Sequence, residues 1–540
     1  MKVLYDQPME NNHFLHDYQR GKPSARQLFH YAGNTQGVQD RLRYLDGRSF
    51  ERRRLKQLLQ KYNNSLHYGE RAVAALEKLE GEETVIVAGG QQAGMLTGPS
   101  MVISKAVSVI KLAEKEQKRL GRPVLPLFWI AGEDHDWEEV NHVNFPVGGH
   151  LDKTRFEGNF LPNVPVSEQP FDTGEAEAFV EEAFSKLRES PFTKELRSEV
   201  RLLVHSSESW SQFFAEIMRW LFKETDLIMM DPQQPEWREL GAPLFKSLLS
   251  VPAKINEAVY QGAAERAAAG YGNVGGINFD SGHLFYHINH VRHLLEYTGE
   301  TWRSRRTGEM METEELLEEA ADAPERFSTD VITRPLMQEQ MLPVLHFVAG
   351  PGEMQYWSLL KPLFEALNLR LPIVQKRMEL HFATRQVQQA AEKEHIPFRD
   401  LLNLPLLEQR LQEVKYAAHD VDGKAKAARA VEQMKEAHAD LANEWIRQFP
   451  SQESFAHENW RRVEKEVRYL GDRLDAEQER TVQVHLRRLE LIIGQLYPRR
   501  EPAERQINIL FMLNEFGACL PSQVSAGTEW KSGRQNIILL

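Results

Sequence analysis

A glycine-rich segment that follows a short β-branched run is the first candidate for chemistry in this sequence. Thr84–Ala88 is apolar, the ten residues after it include four glycines, and Pro99 stands where a helix would begin. A strand, a tight turn and a helix start in this order can hold a phosphate or a carboxylate, because the first backbone N–H groups of a helix are unpaired. A structural turn in an α/β domain is an equally good interpretation. The candidate binding residues are Gly90, Gln91, Gln92, Gly94, Thr97 and Gly98.

Acidic residues and histidines follow a second apolar run, Val124–Ala131. At the carboxyl end of a strand, such groups are well placed to hydrogen bond to an amine or a hydroxyl of a substrate. An acidic first turn of a helix is the structural alternative for the later members of the group. A metal site formed by His135, Asp136 and His142 is a third interpretation, although the spacing is not that of a zinc protease motif. The candidate site residues are Glu133, Asp134, His135 and Asp136.

Polar residues also follow two later apolar runs, Pro343–Ala349 and Leu371–Gln375. The first leads into a Gly-Pro-Gly turn, whose glutamate could hold a ligand ammonium or simply favour a helix start. The two cations after the second run suit a phosphate or a carboxylate, with surface solubility as the competing explanation. An Arg and a Gln stand just before the first run, where an interdomain contact is the structural alternative. These candidates are Gly350, Gly352, Glu353 and Tyr356, then Lys376 and Arg377, and finally Arg334 and Gln338.

Five short runs that are apolar throughout predict the strands of a sheet covered by helices on both faces. Four of them lead into a turn and a helical pattern, which is typical of a doubly wound parallel α/β sheet that binds ligands at the carboxyl ends of its strands. The spacing of the runs is uneven, so two long stretches must hold inserted structure. In the second stretch, Phe279, Phe285 and Tyr286 predict a small antiparallel sheet. The predicted strands are Thr84–Ala88, Val124–Ala131, Leu227–Asp231, Pro343–Ala349 and Leu371–Gln375.

Long helices are predicted after residue 382. Val431–Trp445 and Val463–Leu496 repeat apolar residues at three- and four-residue intervals, and a proline in Phe449–Ser451 interrupts the repeat. Two helices of comparable length joined by a short break predict an antiparallel coiled-coil hairpin. Each arm would reach roughly 60 Å, which is longer than a single core needs. We therefore expect a homodimer through this arm rather than a monomeric bundle.

The composition restricts the function classes. A formal net charge of −12 disfavours binding to nucleic acids or anionic membranes, because these partners are polyanions. A single cysteine, Cys519, whose apolar neighbours predict burial, excludes a disulfide framework and a multi-thiolate zinc site. The N-terminal residues lack the pattern of a signal peptide, and no apolar run is long enough to span a bilayer. We therefore expect a cytoplasmic protein without structural zinc.

Four segments together resemble a known family, the cysteine-adding enzymes of bacillithiol biosynthesis. They are residues 90–99, 128–136, 334–338 and 350–353, and the resemblance extends over essentially the whole chain. It implies a Rossmann-type core related to class I aminoacyl-tRNA synthetases, with two connecting-peptide insertions and a coiled coil used for dimerisation. The implied division is a first core part with N-terminal helices (1–145), a first insertion (146–225), a core strand (226–235), a second insertion (236–335), the last core part (336–381), the coiled coil (382–499) and a C-terminal segment packed on the core (500–540).

The resemblance also implies a ligase that attaches cysteine to glucosaminyl-malate in the last step of bacillithiol synthesis. We expect the enzyme to activate the cysteine carboxylate with ATP and Mg²⁺, releasing ADP or AMP, and to let the glucosamine amine attack. The glycine-rich turn would hold the anionic group, and Lys376 and Arg377 would offset negative charge in the transition state. Glu133, Asp134 and His135 would bind the sugar or remove the amine proton. The alternatives are a metal-dependent hydrolase of a small amide or sugar conjugate, and a non-catalytic dimeric scaffold.

Overall fold

The computed structural model describes residues 2–6, 12–147, 150–275, 281–417 and 422–540. The chain divides into two compact units, one of Met1–Phe382 with Glu501–Leu540 and the other of Ala383–Arg500. The second unit covers the segment in which the sequence predicts a coiled coil, and the C-terminal segment belongs to the first unit. Phe279, one of the aromatics of the predicted antiparallel sheet, lies outside the described residues.

The strands of the described residues pair into four sheets. In chain order the strands are β1 Lys2–Asp6, β2 Val85–Gln92, β3 Val124–Ala131, β4 His142–Val147, β5 His150–Arg155, β6 Ile228–Met230, β7 Leu284–Ile288, β8 Val291–Tyr297, β9 Trp302–Ser304, β10 Met310–Met311, β11 Phe327–Thr329, β12 Val344–Ala349, β13 Ile373–Lys376, β14 Glu379–Ala383 and β15 Gln535–Leu539.

Helices separate most of these strands. In chain order they are α1 His13–Arg20, α2 Pro23–Arg26, α3 Thr35–Asp46, α4 Arg52–Asn64, α5 Glu70–Leu76, α6 Met101–Leu120, α7 Trp137–Val140, α8 Thr173–Ser185, α9 Thr193–His205, α10 Trp210–Leu221, α11 Pro235–Ser250, α12 Pro252–Ala268, α13 Thr313–Asp322, α14 Arg334–Met341, α15 Pro351–Trp357, α16 Lys361–Ala366, α17 Arg385–Lys393, α18 Leu404–Ala417, α19 Gly423–Gln448, α20 Glu453–Leu496, α21 Leu510–Phe516 and α22 Leu520–Gly527.

The five core strands form one parallel sheet in the order β13-β12-β2-β3-β6. Every residue of β3, β6, β12 and β13 is buried, because helices cover both faces of the sheet. The predicted Rossmann-type α/β fold is therefore confirmed. The strand order reverses between β2 and β12, which are neighbours in space but not in sequence. At such a switch point the connections diverge and leave a crevice at the carboxyl ends of the strands.

The first core strand is longer than the sequence predicts. β2 continues past Ala88 to Gln92, since its last four residues pair in register with the last four of β3. Gly90 permits this approach, because a Cβ there would lie only 2.3 Å from the backbone oxygen of Trp129. Gly90, Gln91 and Gln92 are therefore strand residues rather than turn residues, which corrects the predicted boundary.

Two insertions occupy the long intervals between core strands. The first lies between β3 and β6 and contains the hairpin β4–β5 and helices α8 to α10. The second lies between β6 and β12 and contains α11 to α13 and an antiparallel sheet in the order β10-β9-β8-β7-β11. Phe285 and Tyr286 lie in β7, within this antiparallel sheet. The uneven spacing of the apolar runs is thus the result of structure inserted into the parallel sheet.

The C-terminal segment of the first unit packs on the Rossmann core. Its strand β15 pairs with the N-terminal strand β1, and its helix α22 packs against α6. Asn508 pairs with Pro99 in an isolated bridge, just before α6 begins. Cys519, at the start of α22, is exposed, so the burial predicted from its apolar neighbours is wrong.

The second unit contains a helical hairpin formed by α19 and α20. α19 has 26 residues and α20 has 44, which correspond to about 39 Å and about 66 Å. The prediction that the two arms have comparable length is therefore wrong. α20 is longer than α19 because it packs against α17 and α18 as well as against α19. Gly471 of α20 permits close contact with α19, since a Cβ there would lie 2.5 Å from the Cβ of Ala427.

Candidate active site

A cavity of about 360 Å³ lies at the carboxyl ends of β2, β3 and β12, at the switch point of the parallel sheet. The strand ends form its floor, and α6, α14 and α15 supply its walls. Val331, from the loop before α14, and Arg505, from the C-terminal segment, complete its lining. The volume lies in the range of sites that bind small molecules.

Lys105 of α6 joins three parts of the cavity lining. Its Nζ donates to the backbone oxygen of Gly90 (2.7 Å), to Oε1 of Gln91 (2.9 Å) and to the carboxylate of Glu353. Burial lowers the pKa of Lys105, and the Glu353 carboxylate opposes that shift. Because all three hydrogens of the ammonium group are bonded, Lys105 acts as a fixed positive charge that holds Glu353, not as a free nucleophile.

Helix α15 begins inside the cavity lining. The Gly350 N–H donates to Oε2 of Glu353 at 2.6 Å, which closes the first turn of the helix. A Cβ placed on Gly352 would meet no atom within 4 Å, so the backbone at this position is open to a ligand. Burial raises the pKa of Tyr356, and the charge of Glu353 adds to the effect. Tyr356 therefore remains a neutral phenol.

Arg334, the first residue of α14, binds both carboxylates that follow β3. Its Nε donates to Oε1 of Glu133 (3.2 Å) and its Nη2 donates to Oδ1 of Asp134 (2.6 Å). Burial acts to lower the pKa of Arg334, but the charges of Asp134 and Glu133 outweigh it and the net shift is upward. Glu133 is 1% exposed and also contacts Arg238 (3.2 Å) and Thr329 Oγ1 (3.0 Å). Glu133 therefore anchors the surrounding arginines, whereas Asp134 reaches the cavity.

The imidazole of His135 is held by Arg292 from the second insertion. Arg292 Nη1 lies 3.0 Å from His135 Nδ1, and an arginine can only donate. Burial and then the charge of Arg292 lower the pKa of His135, so the ring is neutral at neutral pH. Nδ1 is consequently the acceptor, and Nε2 carries the hydrogen. In this tautomer His135 can donate a hydrogen bond but offers no free nitrogen to remove a proton.

The two cations after β13 lie in different surroundings. Lys376 is 1% exposed, pairs with Glu379 at 2.8 Å and lies outside the cavity lining. Arg377 lines the cavity, and both of its terminal nitrogens donate to the Glu504 carboxylate, at 2.9 and 2.6 Å. Glu504 belongs to the C-terminal segment, so this segment fixes the guanidinium of Arg377 and neutralises its charge.

Arg505 is the cation of the cavity lining whose charge is available to a ligand. Lys105, Arg334 and Arg377 each pair with a carboxylate. Among the described residues, Arg505 has no such partner, and its side chain is exposed at the cavity. A ligand with a carboxylate or a phosphate would therefore find its unpaired counter-charge at Arg505.

An aromatic wall faces these charged groups. Phe347 and Trp129 stand on the same face of the sheet, because they pair with Ala88 and Gly90, which are two residues apart on β2. Trp357 stacks on Phe347 with ring centroids 4.3 Å apart. The cavity thus combines an apolar aromatic side with a polar side of paired charges.

The structure brings most of the predicted site residues to this cavity, but not all of them. Those that line it are Gly90, Gln91, Gln92, Asp134, Arg334, Gln338, Gly350, Gly352, Glu353, Tyr356 and Arg377. Those outside the lining are Glu133, His135, Asp136, Lys376, Gly94, Thr97 and Gly98.

The turn that contains Gly94, Thr97 and Gly98 supports the fold beside the cavity. Gly98 has φ +69°, a conformation that favours glycine. Asn508 Nδ2 donates to the backbone oxygens of Leu96 (2.9 Å) and Gly98 (2.7 Å). The Ser100 N–H, at the start of α6, donates to a backbone oxygen of the C-terminal segment. The N–H groups of Gly94 and Gly98 also donate to backbone oxygens of the same segment. The N–H groups of Gly94, Gly98 and Ser100, which an anion would need, are therefore bonded within the protein.

Sequence reasoning missed nearly half of the lining. The missed residues are Met101, Lys105, Trp129, Ala131, Val331, Pro335, Phe347, Pro351, Trp357 and Arg505. Lys105 had a usable signal, since it is a lone cation within the apolar run Met101–Ile110 of a helix that must be buried. Arg505 had none, because the C-terminal segment shows no strand or helix pattern that places it beside the Rossmann core.

The structure gives no support to a metal centre. Within the described ranges, no group of three or more histidine, cysteine, aspartate or glutamate side chains could hold a metal ion. His135 Nε2 lies 4.0 Å from Asp136 Oδ1, whereas His142 contacts Asn141, so the predicted trio does not converge. The donor set required for the hydrolase alternative is not formed.

Comparison with known proteins decides the family. Residues 1–378 match the N-terminal Rossmann-like domain of bacillithiol biosynthesis BshC, and residues 381–540 match its C-terminal coiled-coil domain. The chain belongs to the BshC family. Relatives from Bacillus cytotoxicus and Bacillus cereus, each named "Putative cysteine ligase BshC", are 30% identical to it over 534 and 531 residues, which is 97% of this chain and 97% of theirs. This BshC-family chain is thus an enzyme of bacillithiol biosynthesis.

One solved structure also shows some likeness to this BshC-family chain. It is titled as a "putative arginyl t-RNA synthetase" from Campylobacter jejuni, with 11% sequence identity and a TM-score of 0.23, and the match covers 86% of this chain and 99% of the other. A score this low does not establish a shared fold. Among the described residues, no helix is long and apolar enough to cross a membrane.

Proposed function

We propose that this protein is the ligase that joins cysteine to glucosaminyl-malate in the last step of bacillithiol synthesis. The proposal takes its substrates from the resemblance of the sequence, and the name of the relatives supports it. The observation that carries it is the cavity at the switch point, where the Arg334–Asp134 pair and the unpaired Arg505 face an aromatic wall. A non-catalytic scaffold needs no such arrangement.

The reaction requires an activated carboxylate. An amine and a carboxylate do not condense in water, so one oxygen of the cysteine carboxylate first attacks either the α-phosphorus of ATP, which releases pyrophosphate, or the γ-phosphorus, which releases ADP. The glucosamine amine then attacks the resulting mixed anhydride, and the phosphoryl group leaves with that oxygen as AMP or phosphate. In this scheme Arg505 offsets the negative charge that develops on the phosphoryl and acyl oxygens. Arg377, which Glu504 neutralises, forms part of the cavity wall.

Asp134 is the group that we assign to the attacking amine. Oδ1 accepts from Arg334, and the side chain is partly exposed at the cavity. A carboxylate in this position can bind the amine and take its proton as the carbon–nitrogen bond forms. His135 is a weaker candidate for this role, because its only acceptor nitrogen is bonded to Arg292.

Mg²⁺ fits this scheme as a companion of the nucleotide. The carboxylates that line the cavity, Asp134 and Glu353, are paired with Arg334 and Lys105. We expect the phosphate oxygens to supply most of the ligands of the ion, as is usual for Mg²⁺ in nucleotide sites. Lys105 and Arg334 would hold the walls of the cavity in place around the bound nucleotide.

We further propose that the enzyme is a homodimer through the second unit. Several apolar side chains of α19 and α20 are exposed in the single chain: Met434 (43%), Leu441 (73%), Tyr469 (58%), Leu470 (70%) and Leu474 (44%). A coiled coil normally buries such positions against another helix. A second copy of the same hairpin would cover them.

The test is a reaction with pure protein, cysteine, glucosaminyl-malate, Mg²⁺ and ATP. Bacillithiol is measured by mass spectrometry, and AMP and ADP are measured by chromatography. The proposal expects bacillithiol together with one equivalent of AMP or of ADP. Failure to form the product with any nucleoside triphosphate would rule out direct ligation by this chain alone.

A further inference from the structure

The aromatic side of the cavity holds hydrogen-bonding groups that the protein does not satisfy. Trp129 is 2% exposed and Gln338 is 4% exposed, and both line the cavity. Trp129 Nε1 and Gln338 Oε1 are buried atoms without a hydrogen-bond partner among the described residues. Buried polar atoms are rarely left unpaired, so a donor and an acceptor on the walls of one cavity indicate a ligand group that can accept and donate.

The fold fixes the positions of both Gln338 and Trp129 in the cavity wall. Gln338 lies four residues after Arg334 on α14, so both side chains project from the same face of the helix. Arg334 is fixed by Glu133 and Asp134, which sets the rotation of α14 and therefore the direction of Gln338. Trp129 is fixed in β3, whose every residue is buried.

We infer that Trp129, Gln338 and the stacked Phe347–Trp357 pair form the pocket that recognises the thiol of the amino-acid substrate. The inference rests on the proposed function and names the part of the cavity that selects cysteine. The S–H group donates to Gln338 Oε1, and a lone pair of the sulfur accepts from the indole N–H of Trp129. The polarizable sulfur also makes favourable contacts with the aromatic rings.

This pocket discriminates between amino acids of similar size. The methyl group of L-2-aminobutyrate occupies the volume of the thiol but leaves both Trp129 Nε1 and Gln338 Oε1 unpaired. The hydroxyl of serine makes both hydrogen bonds but loses more hydration when it enters an aromatic pocket. Cysteine is the side chain that satisfies the two polar atoms at the lowest cost of desolvation. No thiolate–metal contact is needed for this selection.

The experiment is calorimetric titration of three amino acids into the full-length protein. L-cysteine, L-serine and L-2-aminobutyrate are compared in the presence of Mg²⁺ and a non-hydrolysable ATP analogue, with a reductant present. For the wild type we expect cysteine to bind on the order of 10-fold more tightly than L-2-aminobutyrate, as one or two neutral hydrogen bonds provide. Trp129→Phe and Gln338→Leu should each reduce this ratio by roughly 3-fold or more.

Trp237→Phe is the matched control. Trp237 is also buried and also has an unpartnered Nε1, but it lies outside the cavity lining. Its substitution should leave the ratio unchanged, and thermal melting shows whether each variant is folded. A folded Trp129→Phe and a folded Gln338→Leu that both keep the wild-type ratio would overturn the thiol pocket. Wild-type protein that binds none of the three amino acids would instead refute the proposed function.

Discussion

At the scale of single residues, the site is organised by charge pairs that are shared with the rest of the fold. Glu133 and Asp134 are neighbours in sequence but have different surroundings. Glu133 is enclosed by Arg238, Arg334 and Thr329, whereas Asp134 has one oxygen on Arg334 and reaches the cavity. The two adjacent carboxylates can therefore have different roles: Glu133 positions the surrounding arginines, and Asp134 is available to contact the substrate.

Asp134→Asn should remove product formation without unfolding the protein. The substitution keeps the shape of the side chain but removes the base that we propose for the attacking amine, and loss of such a group typically costs 10²- to 10⁴-fold in rate. Glu138→Gln is the control, because Glu138 lies in the same segment, is 73% exposed and is outside the cavity lining. The initial rate of bacillithiol formation and the melting temperature of each variant check the prediction. Retained activity in Asp134→Asn would show that the assignment is wrong.

Asp231→Asn should stabilise the protein more at pH 8 than at pH 5. Burial raises the pKa of Asp231 to about 6, and the Gln233 N–H partly opposes the shift. The folded state therefore holds this proton more tightly than the unfolded state. The stabilisation from the protonated Asp231 carboxyl is complete below the usual pKa of aspartate and is lost as the pH rises through about 6. The total loss corresponds to roughly 3 kcal/mol of the free energy of unfolding.

Asparagine resembles the protonated carboxyl and removes that pH dependence. The melting temperature of Asp231→Asn, relative to wild type, should rise between pH 5 and pH 8. Asp322→Asn, at an exposed position, should show no such trend. An equal difference at both pH values would mean that Asp231 does not titrate in this range.

At the scale of elements, the glycine-rich turn and the start of α15 have different positions relative to the cavity, although the sequence suggested both as binding sites. Gly98 has a positive φ and lies outside the cavity lining, whereas Gly352 lines the cavity with open space at its Cβ position. The first glycine meets a requirement of the backbone. The second leaves room for a ligand.

Gly98→Ala and Gly352→Ala should therefore separate stability from binding. Gly98→Ala forces an alanine into a positive φ and should cost more than about 1 kcal/mol of stability with little change in ligand affinity. Gly352→Ala should leave the melting temperature nearly unchanged but weaken the binding of nucleotide or cysteine, because the added methyl group projects into open space. Calorimetric titration and melting curves measure both quantities. The opposite pattern would return the anion site to the turn before α6.

The elements themselves were predictable to a large extent, and the contacts between distant segments were not. The core strands are apolar on both faces, so their runs were visible without knowledge of partners. β2 was placed too short, because only its pairing with β3 keeps Gly89 and Gly90 extended. The partner of Arg377 was also hidden, since Glu504 is 127 residues away in the chain. Local patterns carry no information about such pairs.

At the scale of the whole molecule, each unit has a separate task in the proposed function. The first unit contains the complete cavity, with contributions from the core, the second insertion and the C-terminal segment. The second unit exposes apolar side chains on its helices. Leu489 is only 2% exposed in the single chain, so it is not available to a surface between chains.

Leu441→Glu and Leu470→Glu should convert the proposed dimer to monomers that remain folded. Both side chains are at least 70% exposed in the single chain, so a charge there costs nothing unless a partner covers them. Lys435→Glu, at an exposed polar position of α19, is the control for the change of charge. Light scattering at micromolar concentration gives the mass of each variant. Wild-type protein that is already monomeric would contradict the dimer.

In the proposed reaction, ATP activates the cysteine carboxylate by transferring a phosphoryl or adenylyl group to one of its oxygens. The most direct test uses L-cysteine with both carboxylate oxygens labelled with ¹⁸O, in the complete reaction with ATP, Mg²⁺ and glucosaminyl-malate. We predict that one ¹⁸O atom per turnover appears in the released AMP or phosphate and that the other stays in the amide of bacillithiol. Labelled product without ¹⁸O in any phosphate or nucleotide would contradict it.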